Sequence, residues 1–377
     1  MRILYVIKKL EYGGAEFQLL AIADRQRNLG HAIKIITLNM PEPYFLDKVK
    51  QADLDFQCVD FDESYQLPVA LIRLRKAIVQ YRPDIVHSHM YHSNILTRLI
   101  YITWRRALFV STAHNIREGS RFRDWMYRIT DKFCDVTTNV SRAAVDRYNV
   151  DGLVRNHACE LVENGIDTNA FRRDQTARRV YRKKMNSTDN FIWLYVGSLT
   201  TQKDLPNLLQ AFSQIAEHRA KPKLYIVGDG PEQRSVSSRV TSLGLDDRVT
   251  LLGNRNDLME WYSMADGFVL GSAWEGLPIV LLEALSCSLP AVVTNVGGNS
   301  DLVVEGSNGY LAPPQNPTLL ADKMAELMNL PECDRQYFGE YARSHIVQNF
   351  DLDIIATRWR ELYQRPFRNS PFRKLIP

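Results

Sequence analysis

The sequence predicts an α/β protein built from two doubly wound parallel sheets, one in each half of the chain. Three observations carry that expectation. The chain has 377 residues, more than one ordinary hydrophobic core accommodates, so two domains are the natural division. Apolar strand-like runs alternate with helical patterns along most of its length. Glycine turns follow several of those runs, at the carboxyl ends where open α/β sheets bind ligands.

Residues 2–7 read as a buried parallel strand. Gly13-Gly14-Ala15-Glu16 follows it and opens a helical pattern through Leu19, Leu20, Ile22 and Leu29, with Gly30 placed as a C-cap. A second strand spans 33–38, completing one βαβ unit. Residues 72–80 read as helical. Strands then end at His87 and His89, at His114 and Asn115, and at Ser141, a residue type suited to cap the next helix. A lone histidine at a strand end is usually a hydrogen-bonded structural residue. Three of them raise a metal site, but no acidic residue joins them at ligand spacing. The turn Glu163-Asn164-Gly165-Ile166-Asp167 and the charged, apolar-poor run 171–184 mark a boundary between 163 and 190.

The second half repeats the rhythm. A strand over 191–196 leads into Gly197, Ser198 and Lys203, then a helix from about Leu205. A strand ends at Gly228-Asp229-Gly230, and another at Gly253. The stretch Glu275 to Glu283 organises this half. It brackets an apolar run opened by Gly276, Leu277, Pro278 and Ile279, between a strand over 267–271 and a helix reaching about Ser288. Proline suits a first helical position, and Gly276 can take backbone angles other residues avoid. A helix start presents free N–H groups and partial positive charge, a ready anion site. Glu275 in the turn and Glu283 one turn along could then hold hydroxyls of a ligand whose phosphates rest there, which suggests a sugar nucleotide. The plainer reading is a surface helix with two solvated glutamates. Spaced aromatics in the tail (Phe350, Trp359, Tyr363, Phe367, Phe372) read as a last helix packing on a neighbour.

Composition narrows the classes. Charged residues are 24% and hydrophobic residues 45%, a soluble globular profile, and the net charge of +4 does not by itself argue for nucleic acid. The 5 cysteines lie far apart, giving neither a zinc motif nor a disulfide framework, and an odd count without a signal peptide fits a reducing cytoplasm. No run approaches a bilayer span, so any membrane contact is expected to be peripheral. The basic, aromatic stretch 104–132 is the candidate for meeting anionic headgroups, with a solvated helix face as its plainer reading. A dinucleotide fingerprint is missing: the loop after the first strand is not G-x-G-x-x-G, and after Gly228 and Gly230 the sixth position is Gln233.

Taken together, Gly13-Gly14-Ala15-Glu16, Arg82-Pro83-Asp84 with His87 and His89, Ser111-Thr112-Ala113-His114-Asn115, Asn164-Gly165-Ile166-Asp167, Val196-Gly197 with Lys203, Val227 to Glu232, and Glu275 to Glu283 resemble a retaining glycosyltransferase of the GT-B fold. These matches run nearly end to end and belong to the large group 1, or family 4, type with an E-x7-E motif. The resemblance implies two Rossmann-like domains facing across a cleft, divided as 1–165 plus 350–377 on the acceptor side and 166–349 on the donor side. It implies sugar transfer from a nucleotide-sugar donor, commonly UDP-linked, to a lipid-linked or polysaccharide acceptor in cell-surface glycan biosynthesis, with no metal and no other cofactor.

Carried over by residue, His114, Glu275 and Lys203 form the catalytic set. Lys203 would neutralise the leaving diphosphate, Glu275 would contact the donor sugar, and His114 would approach its reacting carbon. Glu283 would hold the ribose. Gly13, Gly14, Gly197, Ser198, Gly228, Gly230, Gly276, Leu277 and Ile279 would border the donor. His87, His89, Asn115 and Arg117 are acceptor-side candidates. One position departs from the pattern: Ser198 stands where the family commonly has arginine, which removes one cation from the developing dianion. Pairs such as Asp53 with Asp55, Asp60 with Asp62, and Asp351 with Asp353 lie away from the glycine turns. A nucleotide-sugar epimerase of the same fold class and a non-catalytic partner subunit are the competing readings. The expected location is the cytoplasm, peripheral at the inner face of the membrane.

Overall fold

The computed structural model describes residues 1–60 and 67–365. Asp62, Phe367 and Phe372 lie outside them. The chain divides into two compact units, Met1–Gly165 with the chain from Leu352 on, and Ile166–Asp351.

The first unit holds a seven-stranded parallel sheet: β1 (Arg2–Ile7), β2 (Ala32–Thr37), β3 (Asp55–Cys58), β4 (Ile85–His89), β5 (Leu108–Ala113), β6 (Val136–Asn139) and β7 (Cys159–Leu161), in the order β3-β2-β1-β4-β5-β6-β7. Side chains alternate across a strand, and β1 shows what that does. Ile3, Tyr5 and Ile7 enter one core with Leu19 and Ile22 of the helix Gly14–Asn28 and with Ile355 and Trp359 of the helix Leu352–Tyr363. Leu4 and Val6 enter a second core with Leu74 and Ile78 of the helix Leu67–Tyr81. Helices therefore cover both faces, which is why the strands read as near-continuous apolar runs. Of the aromatic tail, Trp359 and Tyr363 are core residues of this unit as expected, whereas Phe350 is not on the last helix but caps the preceding helix Glu332–Asn349, in the second unit.

The second unit holds a six-stranded parallel sheet: β8 (Ile192–Val196), β9 (Lys223–Val227), β10 (Val249–Gly253), β11 (Gly267–Leu270), β12 (Ala291–Thr294) and β13 (Gly309–Ala312), in the order β10-β9-β8-β11-β12-β13. In both sheets the order reverses once, between β1 and β4 and between β8 and β11. Those reversals are the places where doubly wound sheets open a crevice for ligands.

Three sequence expectations need correction. The charged run 171–184, read as part of the boundary between 163 and 190, lies wholly inside the second unit, after the division at Gly165 and Ile166. Gln175–Lys184 is a helix of the second unit, capped by Asp174, and its Arg178 (2.6 Å) and Arg182 both pair with Asp266. Low apolar content hid a helix whose attachment is ionic. Ser141 precedes the helix Arg142–Val150, but its side chain makes no capping bond. Pro278 is the N-cap, not the first residue, of the helix Ile279–Ser286.

Candidate active site

In the second unit, the strand β11 ends at Leu270 and a turn carries Glu275 to the start of the helix Ile279–Ser286. Glu275 is almost fully buried, with 3% exposed. Its Oε1 accepts from Lys203 Nζ at 2.6 Å and from Ser272 Oγ at 2.7 Å, and its Oε2 accepts from Gln202 Nε2 at 3.3 Å. Lys203 ends a short helical turn after β8, and Asp204 behind it adopts a left-handed φ of 45°, uncommon without a glycine. The neighbouring strands β8 and β11 thus deliver an ammonium and a carboxylate to one point at the reversal of the sheet.

Gly276 itself does not take a left-handed angle; the sequence argument for it belongs instead to Gly297. That glycine has φ +57°, and a Cβ there would lie 2.3 Å from the carbonyl oxygen of Glu275. Gly228, at φ +129°, lies so close to Gly197 that a Cβ would meet the Gly197 carbonyl at 2.0 Å, and one on Gly230 would meet Leu199 at 2.4 Å. These glycines seat the turn after β8 on the turn after β9, which Leu199 N also joins through Asp229 O at 2.9 Å. Ser198 offers its carbonyl to Tyr195 at 3.1 Å.

Glu283 lies one turn into the helix. Tyr262, on the helix Leu258–Met264, donates to its Oε2 at 2.6 Å. Burial holds the Glu283 carboxyl up at about 7, with the Tyr262 bond pulling the other way. Ser272, Gln202 and Tyr262 went unnoticed in the sequence. They are ordinary polar residues whose role appears only through a partner many positions away.

In the first unit, Gly13 caps and Gly14 begins the helix Gly14–Asn28 after β1. The carboxylate of Glu16 folds back so that a Cβ on Gly13 would lie 2.4 Å from it, and burial raises Glu16 to about 7. His87, His89 and His114 come together at the ends of β4 and β5. His87 is fully buried, with Nδ1 on Tyr363 Oη and Nε2 on Thr112 Oγ1, both at 2.7 Å. Neither ring nitrogen is left for an acceptor, so its acceptor-side assignment does not hold: the residue ties the last helix to the sheet. His89 also lies inside, and its Nδ1 is 2.9 Å from His114 Nε2. Burial pushes the His114 imidazole down to about 4, and His87 and His89 well below the ordinary range. All three are neutral at physiological pH. Asn115 is half-buried and Arg117 exposed.

The stretch 104–132 separates into inner and outer members. Tyr127 is buried and donates to Glu118 at 2.5 Å, and Trp104 packs against the core. The helix Arg121–Thr130 turns Phe122, Trp125 and Ile129 outward, at 62%, 49% and 42% exposed. Its acidic neighbours face in: Asp124 pairs with Arg147 at 2.5 Å, and Asp131 is buried against Arg155 N at 2.8 Å. Arg105, Arg106, Arg117, Arg121 and Lys132 are exposed. The exposed face of this helix is therefore an apolar stripe within a basic surround. Among the described residues, no helix is long and apolar enough to cross a membrane, and no group of three or more His, Cys, Asp or Glu could hold a metal ion.

Known proteins share this organisation. The family model described as glycosyl transferases group 1 matches residues 177–345, and that of glycosyltransferase family 4 matches 12–170. The chain is 27% identical over 357 residues to the N-acetyl-alpha-D-glucosaminyl L-malate synthase of Bacillus anthracis, covering 90% of this chain and 91% of that one. It is 29% identical over 312 residues to the UDP-Gal:alpha-D-GlcNAc-diphosphoundecaprenol alpha-1,3-galactosyltransferase of Escherichia coli, covering 78% of each. A crystal structure of Anabaena HepE in complex with UDP superposes with a TM-score of 0.85 at 21% identity, over 96% of this chain and 99% of that one. That likeness establishes the GT-B fold. With a family 4 match over its first unit and a group 1 match over its second, the chain belongs to the group 1 glycosyltransferases.

Proposed function

We propose that this glycosyltransferase takes its sugar from a UDP-linked donor and transfers it, with retention of anomeric configuration, to a lipid-linked or polysaccharide acceptor. The observation that carries the donor half is the meeting of Lys203 and Glu275 at 2.6 Å, where the second sheet reverses. Cleavage of the donor builds negative charge on the departing diphosphate, and a positioned ammonium next to a helix start stabilises it. Lys203 fills that role without calling on a metal ion. Glu275 then turns to the hydroxyls of the donor sugar, Glu283 accepts from the ribose, and His114 works at the reacting carbon as a neutral imidazole. Support for a UDP donor and a lipid-linked acceptor comes from the E. coli relative, a galactosyltransferase that uses UDP-Gal and a diphosphoundecaprenol-linked acceptor.

The acceptor half gains a physical reason from the outward stripe of Phe122, Trp125 and Ile129. An apolar helix face with basic residues around it and its acids turned inward suits the interface of an anionic bilayer, where a lipid-linked saccharide is presented. We place the protein at the cytoplasmic face of the membrane on that reading.

Thermal shift against a panel of nucleotide sugars tests the donor, because stabilisation follows affinity. The largest shift is expected from a UDP-sugar, and turnover is expected to fall by about 10²–10³ in Lys203→Ala and to fall likewise in Glu275→Ala. A product that isomerises without added acceptor would favour an epimerase, and donor binding without any turnover would favour a partner subunit, the reading that Ser198 motivates.

A further inference from the structure

The His89–His114 contact carries more than a packing role. His114 stands just past the end of β5, where a loop begins, and among the described residues the only hydrogen-bond partner of its imidazole is His89: Nε2 of His114 is 2.9 Å from Nδ1 of His89. His89 is the last residue of β4 and is 4% exposed. Its ring is fixed on several sides. It lies 4.1 Å from the ring of His87, 5.9 Å from that of Tyr5, and stacks at 27° and 5.2 Å on His114. Behind it, Met90 takes a left-handed φ of 66°, so the chain leaves β4 in one sharp step and His89 stays at the strand tip. His87 is locked in turn by Tyr363 and Thr112. A side chain held this firmly is suited to hold another.

We propose that His89 is the positioning residue for His114, setting both the orientation of its imidazole and which of its nitrogens carries the proton. The proton arithmetic is simple. Two neutral imidazoles sharing one hydrogen bond have one proton each, one of which lies in the bridge. If His89 Nδ1 donates, His114 carries its proton on Nδ1. If His114 Nε2 donates, its Nδ1 is a bare acceptor and His89 Nε2 is protonated. Nδ1 of His114 and Nε2 of His89 are the two buried ends of this pair without a protein partner among the described residues. The two histidines line one cavity of about 10 Å³ together with Gln18 and Glu163, room for about one water. The bridge to His89 therefore couples the two tautomers: the nitrogen that donates in it settles whether His114 offers its free nitrogen as a donor or as an acceptor, and that choice must match the group it meets. Burial supports the scheme by favouring the neutral form of both rings, holding His114 down at about 4 and His89 well below the ordinary imidazole range.

The test uses the full chain labelled with nitrogen-15 in histidine, comparing wild type with His89→Phe, His89→Asn and His89→Gln. Long-range proton–nitrogen spectra report the tautomer of His114 directly. One tautomer is expected in wild type from pH 5 to 8, a mixture in His89→Phe, and recovery of a single form in whichever amide variant reaches Nε2. Turnover of the donor identified by thermal shift is expected to fall about 10–100-fold in kcat in His89→Phe with KM changed less than about threefold, and to recover in the amide variant that restores the tautomer. An unchanged His114 tautomer in all three variants would overturn the proposal, as would a fall in KM-controlled binding with kcat intact. The spectral arm does not depend on the donor reading. If wild type turns over no nucleotide sugar, that reading fails while the tautomers still decide this one. Should His89→Phe not fold, the two amide variants, which differ in reach, carry the comparison.

Discussion

Lys203 and Glu275 neutralise one another at 2.6 Å, with only 13% and 4% of their side chains exposed. Ser272 and Gln202 complete the carboxylate's shell, but no second carboxylate reaches Lys203 among the described residues. Removing either ion leaves the other buried without its counter-charge. Lys203→Ala and Glu275→Ala are each expected to cost about 3–5 kcal/mol of stability. The double variant should be less destabilised than the sum, with a coupling of about 1–3 kcal/mol in a denaturation cycle. Strict additivity would mean that each ion finds a replacement partner. Lys203→Ala should also lower kcat by about 10²–10³ if the ammonium serves the leaving group.

The Tyr262–Glu283 bond makes a pH prediction. Burial holds Glu283 at about 7, above the 4.5 of a free carboxyl. Ribose hydroxyls donate to a carboxylate and not to the protonated acid's O–H, so affinity for the nucleotide should rise as pH passes upward through 7. Tyr262→Phe removes a donor that favours the charged form, which should move the midpoint further up. Calorimetric titration of UDP between pH 6 and 8 measures both, and Glu283→Gln should flatten the curve. Stability runs the other way. The folded chain holds this proton more tightly than the unfolded chain does, so Glu283 weakens the fold as pH climbs from 4.5 through 7, and Glu283→Gln should remove that slope.

Gly297 supports the turn that aims Glu275. Its φ is +57°, and a Cβ would sit 2.3 Å from the Glu275 carbonyl. Gly244 has a similar φ of +65° with nothing within 4 Å of a Cβ. Gly244→Ala should therefore report left-handed strain alone, about 1–2 kcal/mol. Gly297→Ala should lose more and should also weaken nucleotide binding, because the Glu275 backbone must move. Equal melting temperatures for the two variants would show that the turn relaxes without consequence.

Much of this was legible in the sequence because it is written in local signals. The apolar strands of both sheets, the glycine turns and the chain from Glu275 to Glu283 all rest on neighbours in sequence. Other features are long-range and leave no local trace. Tyr262 reaches Glu283 across 21 positions, Tyr363 reaches His87 across 276, and Gly297 matters only because another turn passes over it. The short edge strand β3 is half-buried, so its residues lack the apolar continuity that betrays a central strand. The helix Gln175–Lys184 buries no residue, and a pattern built on apolar periodicity has nothing to detect there. His87 became an acceptor-side candidate through the resemblance alone. Its burial against Tyr363 and Trp359 of the last helix, which the tail hinted at but did not locate, makes it the structural residue that a strand-end histidine usually is.

The outward face of the helix Arg121–Thr130 gives the last prediction. Phe122, Trp125 and Ile129 recur at three- and four-residue steps, so they lie on one side, and Phe122 and Trp125 approach to 5.7 Å between ring centroids. The polar side of the same helix is turned inward, with Asp124 paired to Arg147 and Tyr127 bonded to Glu118 and Asn94. Exposed positions contribute little to the fold, so Phe122→Asp with Trp125→Asp should shift stability by less than about 0.5 kcal/mol per site. If the stripe enters a bilayer interface, the same pair should abolish sedimentation with phosphatidylglycerol vesicles. Reversing Arg117 and Arg121 to glutamate should weaken that binding in a salt-dependent way, since headgroup attraction is screened within about 10 Å at 0.1 M salt. Neutral phosphatidylcholine vesicles should capture little protein in every case. Binding that survives the aspartates, or that is equal on both lipids, would send the search for the acceptor's approach to another surface of the first unit.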